Sequence, residues 1–463
     1  MVVKNFNMPA IFVHVSDIHF GQEKGDAVQT HTDVKLQLIA DAANVVGSLP
    51  SKVATGILVT GDIVQSGKME QYHDAGIWLD RLAEAIGCQK YDIQMVPGNH
   101  DLDRAKKSQS VDGLLPVIRA GDAADYENIL NNDIDRAALF SRFDDYAKFS
   151  EAYNCPMDLH GKFTEKAVEL APQRRIRFVR MNSALLCTGT EKQEPPELFI
   201  GARQFAHIPR EKGEENIVLI HHPLSWFKDA DDAKRYIRSR ARVFISGHEH
   251  NPKVTVETVE EGSDFMMLAA GATVPFKSDD IYTYTYNIIV FDWDAAQDAL
   301  SVNIIPRAWN AEYTRFEADD VRLGKADPHF ILQSPNFRRA AKPPEETAAS
   351  VGSGADALVA VEVVTSDVPP PAPSRDPEVV PAMTPKEPDG YRLLLLRFFR
   401  DISEADRLRM LIEFNAVPDD LEEPITHSVE REFLDQLVDD GRLEDLNHRI
   451  DQIISARGHR GSQ

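Results

Sequence analysis

The chain has 463 residues, of which 43% are hydrophobic and 27% charged, so it has room for two to four domains and is not disordered throughout. Its 51 Lys and Arg against 74 Asp and Glu give a net charge of −23, which argues against a protein that holds nucleic acid by bulk positive charge. The three cysteines, Cys88, Cys155 and Cys187, form no CxxC pair, so neither a disulfide framework nor a thiolate zinc site is indicated, and a reducing cytoplasm is expected.

The opening MVVKNFNMPAIFVHVSD reads as a first buried strand, not a signal peptide, and no uncharged apolar run reaches the roughly 20 residues of a spanning helix. Short Val- and Ile-rich runs follow at Ile11 to Val15, Gly56 to Thr60, Ile93 to Val96, Ile176 to Met181, Ile217 to Ile220 and Val243 to Ser246; these predict buried strands. Between the early runs, His31 to Val46 and Tyr72 to Ile86 carry apolar residues at helical spacing, giving a layered α/β domain. Residues 103–170 hold no convincing strand, but Leu139, Phe140, Phe143, Tyr146 and Phe149 recur at three-to-four spacing. They predict a helical insertion near the mouth of any site on the preceding loop, acting as a lid or specificity cap. Its aromatics fit a local core better than a base-stacking platform. After Gly271 the alternating stretches Ile281 to Trp293 and Leu300 to Trp309 predict antiparallel strands of a second sheet.

Residues 343–388 contain ten of the 27 prolines and no aromatic residue, a composition that cannot bury enough surface to offset its ordering entropy. Order returns after Gly390. Leu393 to Phe399 is apolar, Ser403 with Asp406 opens a helix through Phe414, a third helix runs from Ser428 to Gly441, and a fourth carries Leu443, Leu446, Ile450 and Ile453. The expected division is a catalytic domain over 1–335, a linker over 336–389 with no fixed orientation across it, and a helical interaction module over 390–463.

Five motifs follow predicted strands: Asp17-Ile18-His19, Gly61-Asp62, Gly98-Asn99-His100-Asp101, His221-His222-Pro223 and Gly247-His248-Glu249-His250. Strand ends are where open α/β sheets place ligands. Together, mixed nitrogen and oxygen ligands without thiolate suit a pair of divalent ions, Mn, Fe or Zn, with Asp62 on the middle early strand as the bridge. A water between two such ions becomes hydroxide near neutral pH and attacks phosphorus in line. His100 beside Asn99 is placed to serve the leaving group, with Asp101 fixing its tautomer. The basic run Lys234 to Arg242 reads as a solvated helix face more readily than as a nucleic-acid stripe.

This ordered set resembles that of the calcineurin-like metallophosphoesterases over about residues 9–320. The resemblance implies a four-layer αββα sandwich of two mixed sheets. It also implies Asp17, His19 and His250 on one ion, Asn99, His221 and His248 on the other, and Asp62 on both. His221 is selected over His222 because the family's ligand is usually two before the proline. The run His221 to Trp226 and the continuation to Arg104 are similar to a bacterial branch that includes cyclic-nucleotide phosphodiesterases. In that branch Arg104, Asn182 and His222 are candidate substrate contacts. Against this, Arg104 can pair with Asp101 or Asp103, Asn182 can form a turn, and His222 can support the ligands from behind. Residues 390–456 resemble the effector-associated helical domains of bacterial signalling and defence systems, which implies a protein partner or self-association. The expected protein is a dinuclear-metal phosphodiesterase acting on a small molecule or nucleotide, with no membrane partner. Its rivals are a DNA or RNA nuclease of the same superfamily, a protein phosphatase, and a ligand-sensing adaptor with little catalysis.

Overall fold

In the computed structural model the described residues are 8–23, 27–106, 108–157, 162–163, 167–275, 283–319, 321, 323, 328–339, 388–418 and 425–460. Of the expected linker, residues 336–389, the stretch 340–387 lies outside them, while 336–339 and 388–389 fall in helices that close the first domain and open the C-terminal module. The first half of the chain alternates strand and helix: β1 (Ala10–Val15), α1 (Ala27–Ser48), β2 (Gly56–Val59), α2 (Met69–Ile86) and β3 (Ile93–Met95). The insertion follows as α3 (Gln109–Ala120), α4 (Ala123–Asn131), α5 (Asp133–Phe140) and α6 (Asp144–Ala152). Strands β4 (Lys162–Phe163), β5 (Val168–Ala171) and β6 (Arg174–Arg180) lead to α7 (Ala202–Phe205), β7 (Glu214–Leu219), α8 (Ala230–Arg238) and β8 (Ala241–Ser246). The domain closes with β9 (Lys253–Glu260), β10 (Ser263–Ala269), β11 (Thr285–Asp294), β12 (Ala299–Asn310), β13 (Arg315–Ala318), β14 (His329–Leu332) and α9 (Pro335–Arg339).

Two mixed sheets result. One runs β13-β12-β11-β1-β2-β3, with β14 also on β12; the other runs β4-β6-β7-β8-β10-β9, with β5 also on β6. The strands β1, β2 and β3 are parallel, as are β6, β7, β8 and β10. Alternation along each strand divides the core. Phe12, Leu58, Phe178, Ile217, Val243, Met266 and Phe291 fill the space between the sheets. Ile11, Val13, Val15, Ile57 and Val59 face the helices instead, so β1 is buried on both sides. This arrangement is the αββα sandwich that the family resemblance implies.

The sequence expectations differ from the fold at three places. The antiparallel strands after Gly271, expected in a second sheet, join the first one instead, because β11 pairs with β1 and β12 with β11. The range 103–170 ends in strands β4 and β5, short antiparallel additions to β6 too brief to carry a period-two signal. Strands β9 and β10 precede the Gly271 onset; β9 is an edge strand with mostly exposed or half-buried residues, so its Val-Thr-Val alternation has little apolar density.

The C-terminal residues form α10 (Pro388–Leu396), continued by a wider turn over Arg397–Asp401, then α11 (Glu404–Glu413), α12 (His427–Asp439) and α13 (Leu443–Arg460). Ser403 caps α11 by accepting from Asp406 N, and Gly441 takes φ 79° after α12, the left-handed turn glycine permits. Against the expectation of no fixed orientation, this module packs on α2 and α6. Leu394, Phe398 and Phe399 join the same contiguous buried cluster as Tyr72, Phe149 and Tyr153. Arg392 donates to Asp92 Oδ1 at 2.6 Å, Arg400 to Asp80 Oδ1 at 2.6 Å, and Lys148 to Glu404 at 3.0 Å; Arg431 pairs with Glu151. Apolar contact and complementary charge thus supply a docking that linker composition does not reveal.

Within the module Arg407 and Glu430 form a pair at 3.0 Å with both side chains 4% exposed. Removing one partner leaves the other buried without its counter-charge, so Arg407→Leu should destabilise the module by about 3 kcal/mol. Urea unfolding followed by far-ultraviolet circular dichroism checks this; an unchanged midpoint would show that the pair carries no net stability.

Candidate metal centre

The site lies where the two sheets bring their strand ends together. Strands β1, β2 and β3 deliver Asp17, His19, Asp62, Asn99 and His100, while β7 and β8 deliver His221, His248 and His250. Asp62 Oδ2 stands 3.2 Å from His19 Nε2 and 3.4 Å from His221 Nε2. Asp17 Oδ1 stands 3.1 Å from His250 Nε2, and Asn99 Oδ1 3.1 Å from His221 Nε2. His248 Nδ1 is 3.2 Å from that same His221 nitrogen. Ligand atoms of Asp17, His19 and His250, and those of Asp17, Asp62 and His221, lie within 4.8 Å of one another. Asp17, Asp62 and His221 are buried below 2% exposure. Two carboxylates and several imidazoles in so small a buried space suit divalent ions, because a cation balances the buried negative charge and takes the lone pairs of neutral rings.

The surroundings fix the rings. His221 Nδ1 meets Thr60 O at 2.8 Å and His19 Nδ1 meets Val274 O at 3.4 Å, so in each ring Nε2 is the nitrogen turned to the cluster. A carbonyl behind each ring is the usual support of a metal-binding histidine. Ser16 Oγ donates to Asp17 Oδ2 at 2.6 Å. The backbone is bent to fit: Asp17, His19, Asp62, His248 and His250 all have φ between 51° and 70°. Non-glycine residues held there cost about 1 to 3 kcal/mol each, and such strain gathers at functional sites.

Electrostatics follow the geometry. Burial alone would raise the Asp62 carboxyl, but His221 and His19 hold it well below the usual carboxylate range. Burial alone would lower His221, yet the Asp62 and Asp17 carboxylates raise it to about 9. His248 is lowered to about 4 by burial and by His221. Burial also lowers His100.

His100 sits at the edge of the cluster, with its ring 4.9 Å from that of His19. Its Nδ1 meets Gln65 O at 3.0 Å, and its backbone N donates to Asp62 Oδ1 at 2.7 Å. The carbonyl of Gln65, not Asp101, therefore fixes the tautomer, which corrects the role expected for Asp101. Asp101 accepts from the backbone N of Gly98, Val64 and Ile63 at 2.9, 3.1 and 3.2 Å and from Tyr72 Oη at 3.2 Å. It staples the Asp62 loop to the Asn99 loop. Burial and the Asp62 carboxylate push it up to about 7, against the three N–H groups that hold it down.

Of the candidate substrate contacts, His222 and Asn182 are placed as the alternatives weighed for them describe, and Arg104 pairs with a backbone carbonyl instead of Asp101 or Asp103. His222 is fully buried, with Nδ1 2.8 Å from Ser183 Oγ, so it stands behind His221 and His248. Asn182 accepts from Ala184 N at 2.8 Å, closing a turn. Arg104 donates to Asn99 O at 3.0 Å, while Asp103 takes Lys68 at 2.6 Å; the arginine braces the Asn99 loop. In the basic run, Lys234 pairs with Glu257 at 2.9 Å and the buried Arg242 with Glu215 at 3.3 Å. Of the insertion's aromatics, Phe143, Tyr146 and Phe149 are buried, a core and not a platform. Sequence reasoning missed Ser16, Ser183 and the three backbone carbonyls, of Thr60, Val274 and Gln65, that accept from the histidine rings; only Ser16, adjacent to Asp17, carries a local signal.

The profile of the calcineurin-like phosphoesterase family matches residues 11–252, and that of the GTPase-associated adaptor domain matches residues 390–452. The metallophosphoesterase-like protein YydB of Bacillus subtilis (strain 168) is 21% identical over 320 residues, covering 66% of this chain and 61% of that protein. Among solved structures, the NAD nucleotidase of Haemophilus influenzae aligns with 72% of this chain and 55% of its own at 9% identity and a TM-score of 0.34. A double mutant of Vps29 from Entamoeba histolytica aligns with 67% of this chain and 98% of its own at 10% identity and a TM-score of 0.26. The chain thus spans under two thirds of the length of YydB and of the nucleotidase.

Proposed function

From the membership of this chain in the calcineurin-like phosphoesterase family, we propose that it is a phosphodiesterase that uses two divalent ions, Mn, Fe or Zn, to hydrolyse a small-molecule or nucleotide diester. The observation that carries this is Asp62, whose one carboxylate oxygen faces His19 and His221 from the two sheets at 3.2 and 3.4 Å. In this reading Asp62 serves both ions, Asp17, His19 and His250 hold one, and Asn99, His221 and His248 hold the other. When bound, such a pair would supply Lewis acidity at the phosphoryl oxygens and a water acidified for in-line attack.

The chain's own residues do the rest. The Thr60 and Val274 carbonyls keep His221 and His19 in the tautomer that presents Nε2. Asp101 holds the Asn99 loop against the Asp62 loop, and Arg104 braces the Asn99 loop from within. Gln65 O orients His100, which leaves the other ring nitrogen to serve the leaving oxygen. The basic run's pairing with Glu257 and Glu215, with the net charge of −23, weighs against a nuclease. All three cysteines are unpaired, in keeping with a reducing cytoplasm, and among the described residues no helix is long and apolar enough to cross a membrane. The adaptor domain points to a protein partner.

A panel of bis-(p-nitrophenyl) phosphate, p-nitrophenyl phosphate, cyclic nucleotides, a phosphopeptide and single- and double-stranded nucleic acid, with added Mn²⁺, tests the reading. Preference for diesters and cyclic nucleotides is expected. Turnover of the phosphopeptide or of nucleic acid alone would move the protein to the phosphatase or nuclease class, and no turnover of any would favour a sensor. His100→Asn should lower turnover by about 10²- to 10⁴-fold with metal content intact, and less for good leaving groups such as nitrophenolate. Equal losses on good and poor leaving groups would assign His100 to positioning.

A further inference from the structure

A continuous path of contacts joins the C-terminal module to the loops of the candidate metal centre. Arg400, on the turn after α10, donates to Tyr153 Oη at 3.4 Å and to Asp80 of α2 at 2.6 Å. The Tyr153 ring lies edge-on to Phe149 of α6 at 5.1 Å, and Phe149 stacks on Tyr72 of α2 at 4.9 Å and 27°. Tyr72 Oη then donates to Asp101 O at 2.9 Å and reaches Asp101 Oδ1 at 3.2 Å. Asp101 is the residue that ties the Asp62 loop to the Asn99 loop. Gly76 marks where these elements meet: a Cβ there would touch Phe149, Arg400 and Tyr153 Oη at 3.5 to 3.6 Å.

We infer that the module, docked in cis through Arg392, Arg400 and Arg431, is a positive control element that holds Asp101 in its stapling position through Tyr153, Phe149 and Tyr72. These three aromatics are positioning residues, since only Tyr72 reaches Asp101 and none touches the ligand cluster. The module's grip is electrostatic as well as apolar, because its arginines meet Asp92, Asp80 and Glu151. Reversing those charges therefore converts attraction to repulsion at three points, while leaving the catalytic residues untouched. Coupling of this kind between two sites is worth about 5- to 150-fold in an equilibrium.

The test uses the full chain carrying Arg392→Glu, Arg400→Glu and Arg431→Glu together, beside Phe149→Leu, which breaks the stack and leaves the arginines in place. Small-angle scattering reads docking, hydrogen exchange reads residues 62–66 and 98–103, and turnover of bis-(p-nitrophenyl) phosphate at saturating Mn²⁺ reads the outcome. Only the turnover arm rests on the proposed function; the exchange arm decides the coupling even if no diester is hydrolysed. The expected result is an extended triple variant and a docked Phe149→Leu, both with faster exchange at the two loops and kcat lowered roughly 10-fold at unchanged KM. Restoring compactness, protection and kcat by adding Asp80→Arg, Asp92→Arg and Glu151→Arg would fix the cause on the charge pairs. A triple variant that stays compact overturns the arginine grip, and one that extends with both loops still protected overturns the coupling.

Discussion

Asp62→Asn is expected to lower hydrolysis of bis-(p-nitrophenyl) phosphate by about 10³-fold or more and to reduce bound metal at both positions. The carboxylate lies between His19 and His221 and also accepts from His100 N at 2.7 Å, so one substitution removes the negative charge on which both halves of the cluster converge. Asp17→Asn should behave differently. Asp17 meets His250 at 3.1 Å and accepts from His248 N at 3.2 Å, so its loss should weaken mainly the ion on the His19 and His250 side. Turnover measured beside metal content by plasma mass spectrometry separates the two. An Asp62→Asn protein with two metals bound and near wild-type turnover would refute the bridging assignment.

Gly98→Ala should be almost as damaging, for a steric reason. A Cβ at this position would lie 2.2 Å from Asp62 Oδ1 and 2.4 Å from Asp62 N. The second of these is backbone, so the loops must separate. Separation pulls Ile63 N and Val64 N away from the Asp101 carboxylate, now 3.2 and 3.1 Å distant, and moves Asn99 off His221. A fall in turnover of about 10²-fold or more, with weaker metal retention, is expected, since displacements near 1 Å at a reacting centre have effects of that size. Gly113→Ala in α3 is the control: its added Cβ meets nothing within 4 Å, so activity should be unchanged and stability raised by up to about 1 kcal/mol. Equal behaviour of the two variants would mean that the close approach of the loops is not needed.

Much of this was legible in the sequence for a definite reason. A short apolar strand such as Ile11 to Val15 followed at once by Asp17 and His19 states both a burial pattern and a break in it, and only a functional site justifies placing such groups at a buried strand end. The same holds for Val59 before Asp62 and Ile245 before His248. What remained hidden is carried by backbone or by distant charge. The Gln65 carbonyl that orients His100 has no side-chain signature, so Asp101, the neighbouring carboxylate, was the natural but incorrect choice. Arg392, Arg400 and Arg431 read as solvated charges on an amphipathic module; their partners Asp92, Asp80 and Glu151 lie about 300 residues away in the chain for the first two pairs, beyond the reach of any local pattern. His222 differs from His221 only by one position, and burial beside Ser183 decides its place.

The central position of β1 bears on how the protein is made. Its register partner on one side is local, with Phe12 beside Gly56, but on the other Phe12 pairs with Ile289. Ser16 O and Asp17 O likewise accept from Thr273 N and Val274 N. During vectorial synthesis the first strand therefore leaves the ribosome with one edge unpaired, and it stays so until some 270 further residues have been added, about 15 to 55 seconds at 5 to 20 residues per second. The ligand loops at Asp17 and His19 cannot take their final shape before then. Any metal binding by these residues would thereby be confined to the later part of translation or after it, and the nascent chain carries an apolar strand edge open to misassociation for the whole interval.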